Sequence, residues 1–286
     1  MNEKVSILIA NYNNGRYIMD AIDSIRRQSY HNWEIIIVDD CSTDNSVNIY
    51  RNLQDDDRIR VFFNKQNMGC GYTKHQCVVH ADGSICGFLD PDDVLSEDAL
   101  QIMVDEHDRH PDSSLINSTC FDTDEQLNIL SVSTYGCSIP QGESFLTYRK
   151  GITHFTTFRK KCYEKTDGID PMMLRAVDHD LYYKMEEVGK VYYVDKPLYY
   201  YRHNTAGNIS LGGKNMLKAH AWDVYAMVNA CKRRGISIEE NALKNVDVFV
   251  KYGINEGANK VRKSKSYRLG HLLLHPIDSI LRRRKE

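Results

Sequence analysis

The chain lacks several features that would each have fixed its class. None of its apolar runs approaches the roughly 20 residues that a membrane-spanning helix needs. No CxxC pair occurs among its eight cysteines, which argues against a zinc ribbon and against a disulfide framework. Cys70, His75, Cys77 and His80 lie close together, but their spacing fits no standard zinc pattern, so buried free thiols are the expectation. There is no internal repeat and no low-complexity tract. The opening apolar run, Val5 to Ala10, is too short for the core of a signal peptide and meets polar Asn11-Tyr12-Asn13-Asn14. A cytoplasmic location is expected on that basis.

What remains is an ordinary globular balance. The 286 residues are 42% hydrophobic and 27% charged, enough for one large domain or two modest ones. The net charge of −2 hides an asymmetry. Residues 260–286 hold nine Lys/Arg against two Asp/Glu, a balance of +7 that leaves −9 for the rest of the chain. An acidic body with a basic tail fits an anionic partner surface, either membrane or nucleic acid.

One stretch concentrates the acidic character. Asp90-Pro91-Asp92-Asp93 follows the apolar run Ile85 to Leu89, which reads as a buried strand. Three carboxylates therefore crowd a strand end. A hard divalent cation explains such crowding, because Mg2+ and Mn2+ prefer oxygen ligands and Mg2+ is often held by one or two carboxylates plus substrate phosphates. A proline-containing turn whose acids cap the next helix explains it equally well when the stretch is taken alone.

The surrounding pattern favours the cation. Val5 to Ala10, Trp33 to Val38, Arg60 to Phe63 and Ser84 to Leu89 read as strands. Between them lie helical patterns: Tyr17 to Ile25, a helix to Leu53 capped by Ser42 or Thr43, and a helix from the turn at Gly69 and Gly71 to about His80. Ser96 caps a further helix reaching Asp108. This alternation predicts a mainly parallel, Rossmann-like α/β sheet flanked by helices. In such sheets ligands bind outside the carboxyl ends of the strands, where Asn11-Tyr12, Asp39-Asp40, Asn67 to Gly71 and Asp90 to Asp93 would converge. The second half is less regular. Ser114 to Cys120 reads as a strand, Asp180 to Val188 as a short helix, and Val191 to Val194 and Leu198 to Tyr201 as short strands around Asp195-Lys196-Pro197. Asn204 to Asn215 reads as a loop or lid. Met216 to Cys231 is an amphipathic helix, and Glu239 to about Asn259 is expected to be another.

Six segments, in order, resemble glycosyltransferase family 2, the inverting enzymes of GT-A fold that build bacterial surface polysaccharides. They are Val5 to Asn13, Ile37 to Asp44, Asn67 and Gly69 followed by Lys74, Phe88 to Asp93, Val177 to Leu181, and Tyr201 to His203 with Asn208 and Ser210. The resemblance covers roughly residues 4 to 210. Two positions depart from it: Val177 stands where the family usually has Glu, and Lys74 where it usually has Arg. Lys still brings positive charge to a phosphate, though without Arg's bidentate fork.

The resemblance implies a GT-A domain over residues 1–212, with a nucleotide-binding half to about 110 and an acceptor half from 111. A helical region with a basic amphipathic tail follows over 213–286. It implies a nucleotide diphosphate sugar donor, preferably a UDP-sugar, and a glycan or lipid-linked glycan acceptor. Tyr12 would stack on the base and Asp40 accept from a ring N–H. Asp90 would serve the ribose and the metal shell, Asp92 would bind Mn2+ or Mg2+ directly, and Asp93 would bind it through water or cap a helix. Lys74, Arg202 and His203 would approach the diphosphate, and Asn208 and Ser210 would order the lid. Asp178 would be the general base, with Asp180 anchoring its helix and His179 in a structural role. The tail, with Leu269, Leu272, Leu273, Ile277 and Ile280 among basic residues, would then meet an anionic membrane surface rather than nucleic acid, making the protein peripheral on the inner membrane. The rival readings are another nucleotide-using α/β enzyme and a non-catalytic nucleotide-sugar-binding module. Gly69-Cys70-Gly71 lacks the third glycine of a dinucleotide oxidoreductase turn and follows the wrong strand. Ala10 to Gly15 lacks the glycine-rich basic loop of a nucleotidyltransferase.

Overall fold

The computed structural model describes residues 3–148, 150–203 and 213–241. The elements run β1 (Val5–Asn11), α1 (Ile18–Arg26), β2 (Trp33–Asp39), α2 (Ser46–Arg51), β3 (Ile59–Phe63), α3 (Cys70–His80), β4 (Ile85–Phe88), β5 (Val94–Leu95), α4 (Ala99–Arg109) and β6 (Ser113–Thr123). They continue with β7 (Ile129–Val132), α5 (Phe145–Tyr148), β8 (Thr156–Arg159), α6 (Lys160–Tyr163), α7 (Val177–Val188), β9 (Lys190–Arg202) and α8 (Gly213–Arg234).

The apolar runs become strands covered on both faces. In β1 and β2, Ile7, Leu8, Ile9 and Ile35 through Val38 are all buried, which is why these segments read as continuous apolar runs instead of alternating ones. Helix α1 turns Ile18, Ala21, Ile22 and Ile25 into the core at helical spacing, and α4 does the same with Ala99, Leu100, Met103 and Val104. The strand order is β3-β2-β1-β4-β8-β6-β9-β5, with β7 paired to β6. Strands β3, β2, β1 and β4 are mutually parallel, as the alternating pattern predicts. Beyond β4 the sheet is mixed: β8 runs antiparallel to both β4 and β6, while β9 is parallel to β6 and antiparallel to β5.

Several local expectations differ from the structure. Asp195-Lys196-Pro197 does not split a strand. Strand β9 runs through it, and the register with β6 slips where Thr119 faces Pro197, an irregularity that accommodates a residue without an N–H. Neither Ser42 nor Thr43 caps α2, since Asn45 precedes that helix and Asp44 accepts the Ser46 N–H at 3.0 Å. Helix α4 starts after Asp98, and Ser96 supports it with a backbone carbonyl that accepts the Ala99 N–H. The cysteines are free, but Cys41 is exposed and Cys70 and Cys137 are half-buried. Met1–Arg234 forms one compact unit, within which α8 packs against α7. Among the described residues no helix is long and apolar enough to cross a membrane. The second expected helix, to about residue 259, falls mostly outside the described residues.

A buried glutamate at the start of β2 ties the amino-terminal edge of the sheet together. Glu34 accepts from Ser6 Oγ at 2.5 Å, Asp82 N at 2.7 Å and Gly83 N at 3.2 Å, and pairs with Lys4 and Arg60 at 2.9 Å each. Burial raises its pKa, but the Ser6, Lys4 and Asp82 donors more than offset this, and the carboxyl sits at about 2 against an ordinary 4.5. A depressed folded pKa contributes stability above the unfolded value and loses it as pH falls through the folded one. The shift corresponds to roughly 3 kcal/mol by linkage. Melting temperatures followed from pH 7 to pH 3 are expected to fall more steeply below about pH 4.5 for wild type than for Glu34→Gln. Parallel slopes in the two proteins would remove Glu34 as the acid-sensitive hub.

Candidate functional site

A cleft of about 440 Å³ opens at the carboxyl ends of the parallel strands. That volume lies in the range of small-molecule sites, about 300–1,000 Å³. Its walls come from the end of β1, the turn after β2, the start of α3, the turn after β4, the segment before α7 and the end of β9. Tyr12, Asp40, Lys74, Asp90, Asp92, Asp178 and Arg202 all line it, although they are scattered over 190 positions of sequence. His203 does not line it.

Asp39 and Asp40 divide their work. Asp39 is fully buried, accepting from Asn11 Nδ2 at 3.0 Å, Tyr50 Oη at 2.8 Å and Ser42 N at 2.7 Å. It fixes the turn. Asp40 reaches the cleft wall, but it also accepts from Asn64 Nδ2, Met68 N and Gly69 N, each at 2.8 Å. A carboxylate offers about four lone-pair sites, so roughly one remains for a ligand. This clamp needs the glycines. Gly69 has φ +90°, and a Cβ there would come within 2.6 Å of Leu174 Cδ2. At Gly71 a Cβ would lie 2.5 Å from the carbonyl oxygens of Asp170 and Met173, the second of which accepts the Gly71 N–H. Tyr12 stands at the mouth, 46% exposed, with its ring available for stacking.

The acidic turn after β4 sorts its three carboxylates. Asp90 pairs with Lys74 Nζ at 3.2 Å. Burial works against both charges, but each partner outweighs it for the other, lowering the Asp90 pKa and raising that of Lys74. Lys74 also lies over the Phe88 ring at 5.0 Å. Asp92 lines the cleft. Asp93 also lines the cleft, but it does not cap the following helix and its carboxyl is held inward: it is 2% exposed and accepts from Tyr199 Oη and the Arg202 N–H, both at 2.7 Å. Burial, then the charges of Asp92 and Asp90, push its carboxyl well above the usual range. Asp93 thus ties the acidic turn to β9.

Two expected phosphate ligands are placed differently. The Arg202 guanidinium is 4% exposed and spent within the protein, donating to the Asp92 carbonyl and the Glu125 carbonyl at 2.6 Å each and to Asp20 at 2.8 Å, over the Tyr17 ring. It braces the acidic turn from behind. His203 Nε2 meets Asp122 at 3.0 Å, away from the cleft lining. Asn208 and Ser210 lie outside the described residues, as does the basic tail.

Asp178 enters from the first turn of α7, where the exposed N–H groups of a helix start favour a carboxylate. Ala176, at φ 52°, turns the chain into that helix. Val177 is buried, so the position where the family carries Glu packs into the core. Asp180 points away, as expected for two positions along a helix, and pairs with Lys184 at 2.6 Å. His179 binds Asp223 of α8 at 2.7 Å and so holds α7 against α8. In the sequence Tyr199-Tyr200-Tyr201, Tyr199 is core, Tyr200 packs on Phe121 and Tyr201 reaches the cleft.

The sequence pattern did not single out His154. It lines the cleft, stacked on Tyr199 at 4.9 Å and Tyr201 at 6.0 Å, and burial lowers its pKa. A lone histidine among threonines carries no local signal. Among the described residues no group of three or more His, Cys, Asp or Glu is set to hold a metal ion. Asp90 and Asp92 nevertheless supply two carboxylates to one wall, a donor set that suits a hard cation completed by ligand phosphates.

The model of Glycosyl transferase family 2 matches residues 6–181. Over 196 residues the chain is 31% identical to a chondroitin synthase of Escherichia coli, an alignment covering 68% of this chain and 28% of that protein. Against a hyaluronan synthase of Pasteurella multocida it is 29% identical over 197 residues, covering 68% and 20%. The chain thus spans less than a third of either synthase. Among solved structures, residues 1–349 of S. aureus TarS superpose with a TM-score of 0.62 in the UDP-GlcNAc complex and 0.63 in the UDP complex. Identity is 18% and 17%, with 79% and 92% of this chain and 67% and 75% of TarS covered, which shows a shared GT-A fold. This chain, with its strand-end acids and its match over residues 6–181, belongs to glycosyl transferase family 2.

Proposed function

We propose that this protein is an inverting, metal-dependent glycosyltransferase that moves a sugar from a UDP-sugar to a glycan or lipid-linked glycan acceptor in surface polysaccharide synthesis. One observation carries the reading: Asp90, Asp92 and Asp178, from two distant parts of the chain, line one cleft together with Lys74. TarS, which shares the fold, has been crystallised with UDP-GlcNAc and with UDP, and the names of the chondroitin and hyaluronan synthases point to polysaccharide products.

In this reading Tyr12 stacks on the uracil, and the free lone pair of Asp40 accepts a ring N–H. Any base stacks on an aromatic ring, so the polar contact supplies the selectivity. Asp90 and Asp92 would hold Mn2+ or Mg2+, which would supply Lewis-acid stabilisation of the charge developing on the departing diphosphate. Lys74 adds a fixed ammonium to the same phosphates, and its raised pKa keeps it charged throughout the neutral range. Asp178 takes the proton of the acceptor hydroxyl as that oxygen attacks the anomeric carbon on the face opposite the diphosphate. Such an attack inverts the anomeric centre. Arg202 acts by fixing the Asp92 backbone and has no contact with phosphate in this scheme.

Three measurements test this. Asp178→Asn is expected to leave UDP binding near wild type and to lower UDP release from a UDP-sugar by about a hundredfold or more. Loss of UDP binding in that variant would move Asp178 into the donor site. Asp92→Ala is expected to abolish the stimulation of turnover by Mn2+ and to weaken UDP binding in its presence; turnover that ignores both Mn2+ and the substitution would refute the metal role. Deleting residues 264–286 is expected to reduce binding to anionic liposomes while soluble UDP release continues. Equal liposome binding with and without the segment would reject attachment through the tail.

A further inference from the structure

One polar group in the cleft has no part in the scheme above. His154 stands two residues before β8, where the cleft meets a smaller cavity of about 20 Å³. Lys74, His154, Val177 and Asp178 line both spaces. Beyond them the smaller cavity is walled by apolar Phe88, Phe158 and Leu181, and it has room for about one water-sized group. The imidazole nitrogens hydrogen-bond to none of the described residues. Polar side chains away from bulk water normally find partners, so an imidazole left open inside a cleft is set to meet whatever enters it.

The ring is held in one orientation. It stacks on Tyr199 with centroids 4.9 Å apart and planes inclined by 21°, and it lies nearly parallel to Tyr201 at 6.0 Å and 7°. Tyr199 is itself fully buried and donates its hydroxyl to Asp93 at 2.7 Å. The next residue is locked to β6. The Ser118 N–H donates to the Phe155 carbonyl and the Phe155 N–H to Ser118 Oγ, both at 2.9 Å. Gly87 of β4 leaves the space for this, since a Cβ there would lie 2.8 Å from Phe155 Cζ. A side chain fixed by its neighbours and still unpaired is preorganised for a ligand.

Position selects the part of the ligand it meets. In the reaction proposed above, the diphosphate lies against Lys74, Asp90 and Asp92, and Asp178 works on the opposite face of the anomeric carbon. The sugar then occupies the space between Lys74 and Asp178, and His154 borders that space. We propose that His154 is a sugar-binding residue: its imidazole hydrogen-bonds a hydroxyl of the sugar being transferred and makes no contact with the nucleotide. This rests on the donor reading of the cleft. A neutral imidazole carries one donor and one acceptor, and a hydroxyl can answer either. The phosphates call for cations instead, which Lys74 supplies. A sugar lacking that hydroxyl leaves the ring unpaired, so His154 also contributes to the choice of sugar.

The probes are UDP and a panel of UDP-glucose, UDP-galactose, UDP-N-acetylglucosamine, UDP-N-acetylgalactosamine and UDP-glucuronate, with Mg2+ present. His154→Phe keeps an aromatic ring against Tyr199 and removes both nitrogens. It is expected to bind UDP as wild type does, and to bind the UDP-sugar that wild type turns over best about tenfold more weakly, the scale of one hydrogen bond. His154→Gln brings back a donor and an acceptor without the ring, and is expected to recover part of that loss. A ring kept only for packing gives the reverse order, with Phe tolerated and Gln not. Should His154→Phe fail to fold, wild type supplies the reading. Its His154 ring 15N resonances, assigned by their absence in His154→Gln, are expected to move on addition of that UDP-sugar and to stay in place on addition of UDP. Unchanged UDP-sugar affinity in His154→Phe overturns the proposal, as does UDP affinity that falls in step with it, or ring resonances that respond equally to UDP. A wild type that binds no member of the panel and releases UDP from none refutes the donor reading itself, and this inference with it.

Discussion

Carboxylate crowding is the constraint around which the site is built. Asp90, Asp92, Asp93 and Asp178 approach a single region, and four such charges would repel strongly in a half-buried cleft. The fold disposes of them one by one. Asp90 is paired with Lys74. Asp93 is turned inward, its carboxyl pushed toward the protonated form and gripped by Tyr199 and the Arg202 backbone. Asp178 sits on the first turn of α7, where the helix dipole favours it. Asp92 keeps its place on the cleft wall because its own carbonyl is held by the Arg202 guanidinium. The arrangement stays acidic at the point where a cation would serve, and neutralised elsewhere.

The second requirement is close approach of backbone. The turn carrying Met68 and Gly69 has to come near enough to donate two N–H groups to Asp40, and α3 has to start against the carbonyls of Asp170 and Met173. Side chains at Gly69 and Gly71 would prevent both. Since α3 also carries Lys74, these glycines set the position of the cation that pairs with Asp90. The geometry of the acidic turn and of the glycine turn is thus one problem, solved jointly.

Strand β2 links the two edges of the sheet. Its second residue, Glu34, gathers Ser6, Lys4, Arg60 and the turn at Asp82–Gly83 at the amino edge of the sheet. Its last residue, Asp39, organises the turn at the carboxyl edge that presents Asp40 to the cleft. A stable acid-anchored base under the sheet and a ligand-facing edge above it are joined by seven buried residues.

Sequence alone determined the periodic and the local. Apolar runs at strand length, helical stripes, the glycine turn and the acids placed directly after strands all follow from short-range rules, and they located Tyr12, Asp40, Asp90 and Asp92 at one sheet edge, while Lys74 and Asp178 were indicated by the family resemblance. Only the tertiary structure decided which way each polar group turned and with whom it paired. Arg202 meets Asp20 across 182 positions of chain, Tyr199 claims Asp93 across 106, and His203 is drawn to Asp122 across 81. His154 joins the cleft solely because β8 lies between β4 and β6, a placement no neighbouring residue encodes. The physical reason is one of range. Backbone periodicity is set by steric rules within a few residues, whereas a buried charge or hydrogen-bond donor is satisfied by whatever distant segment the packing of the sheet brings beside it.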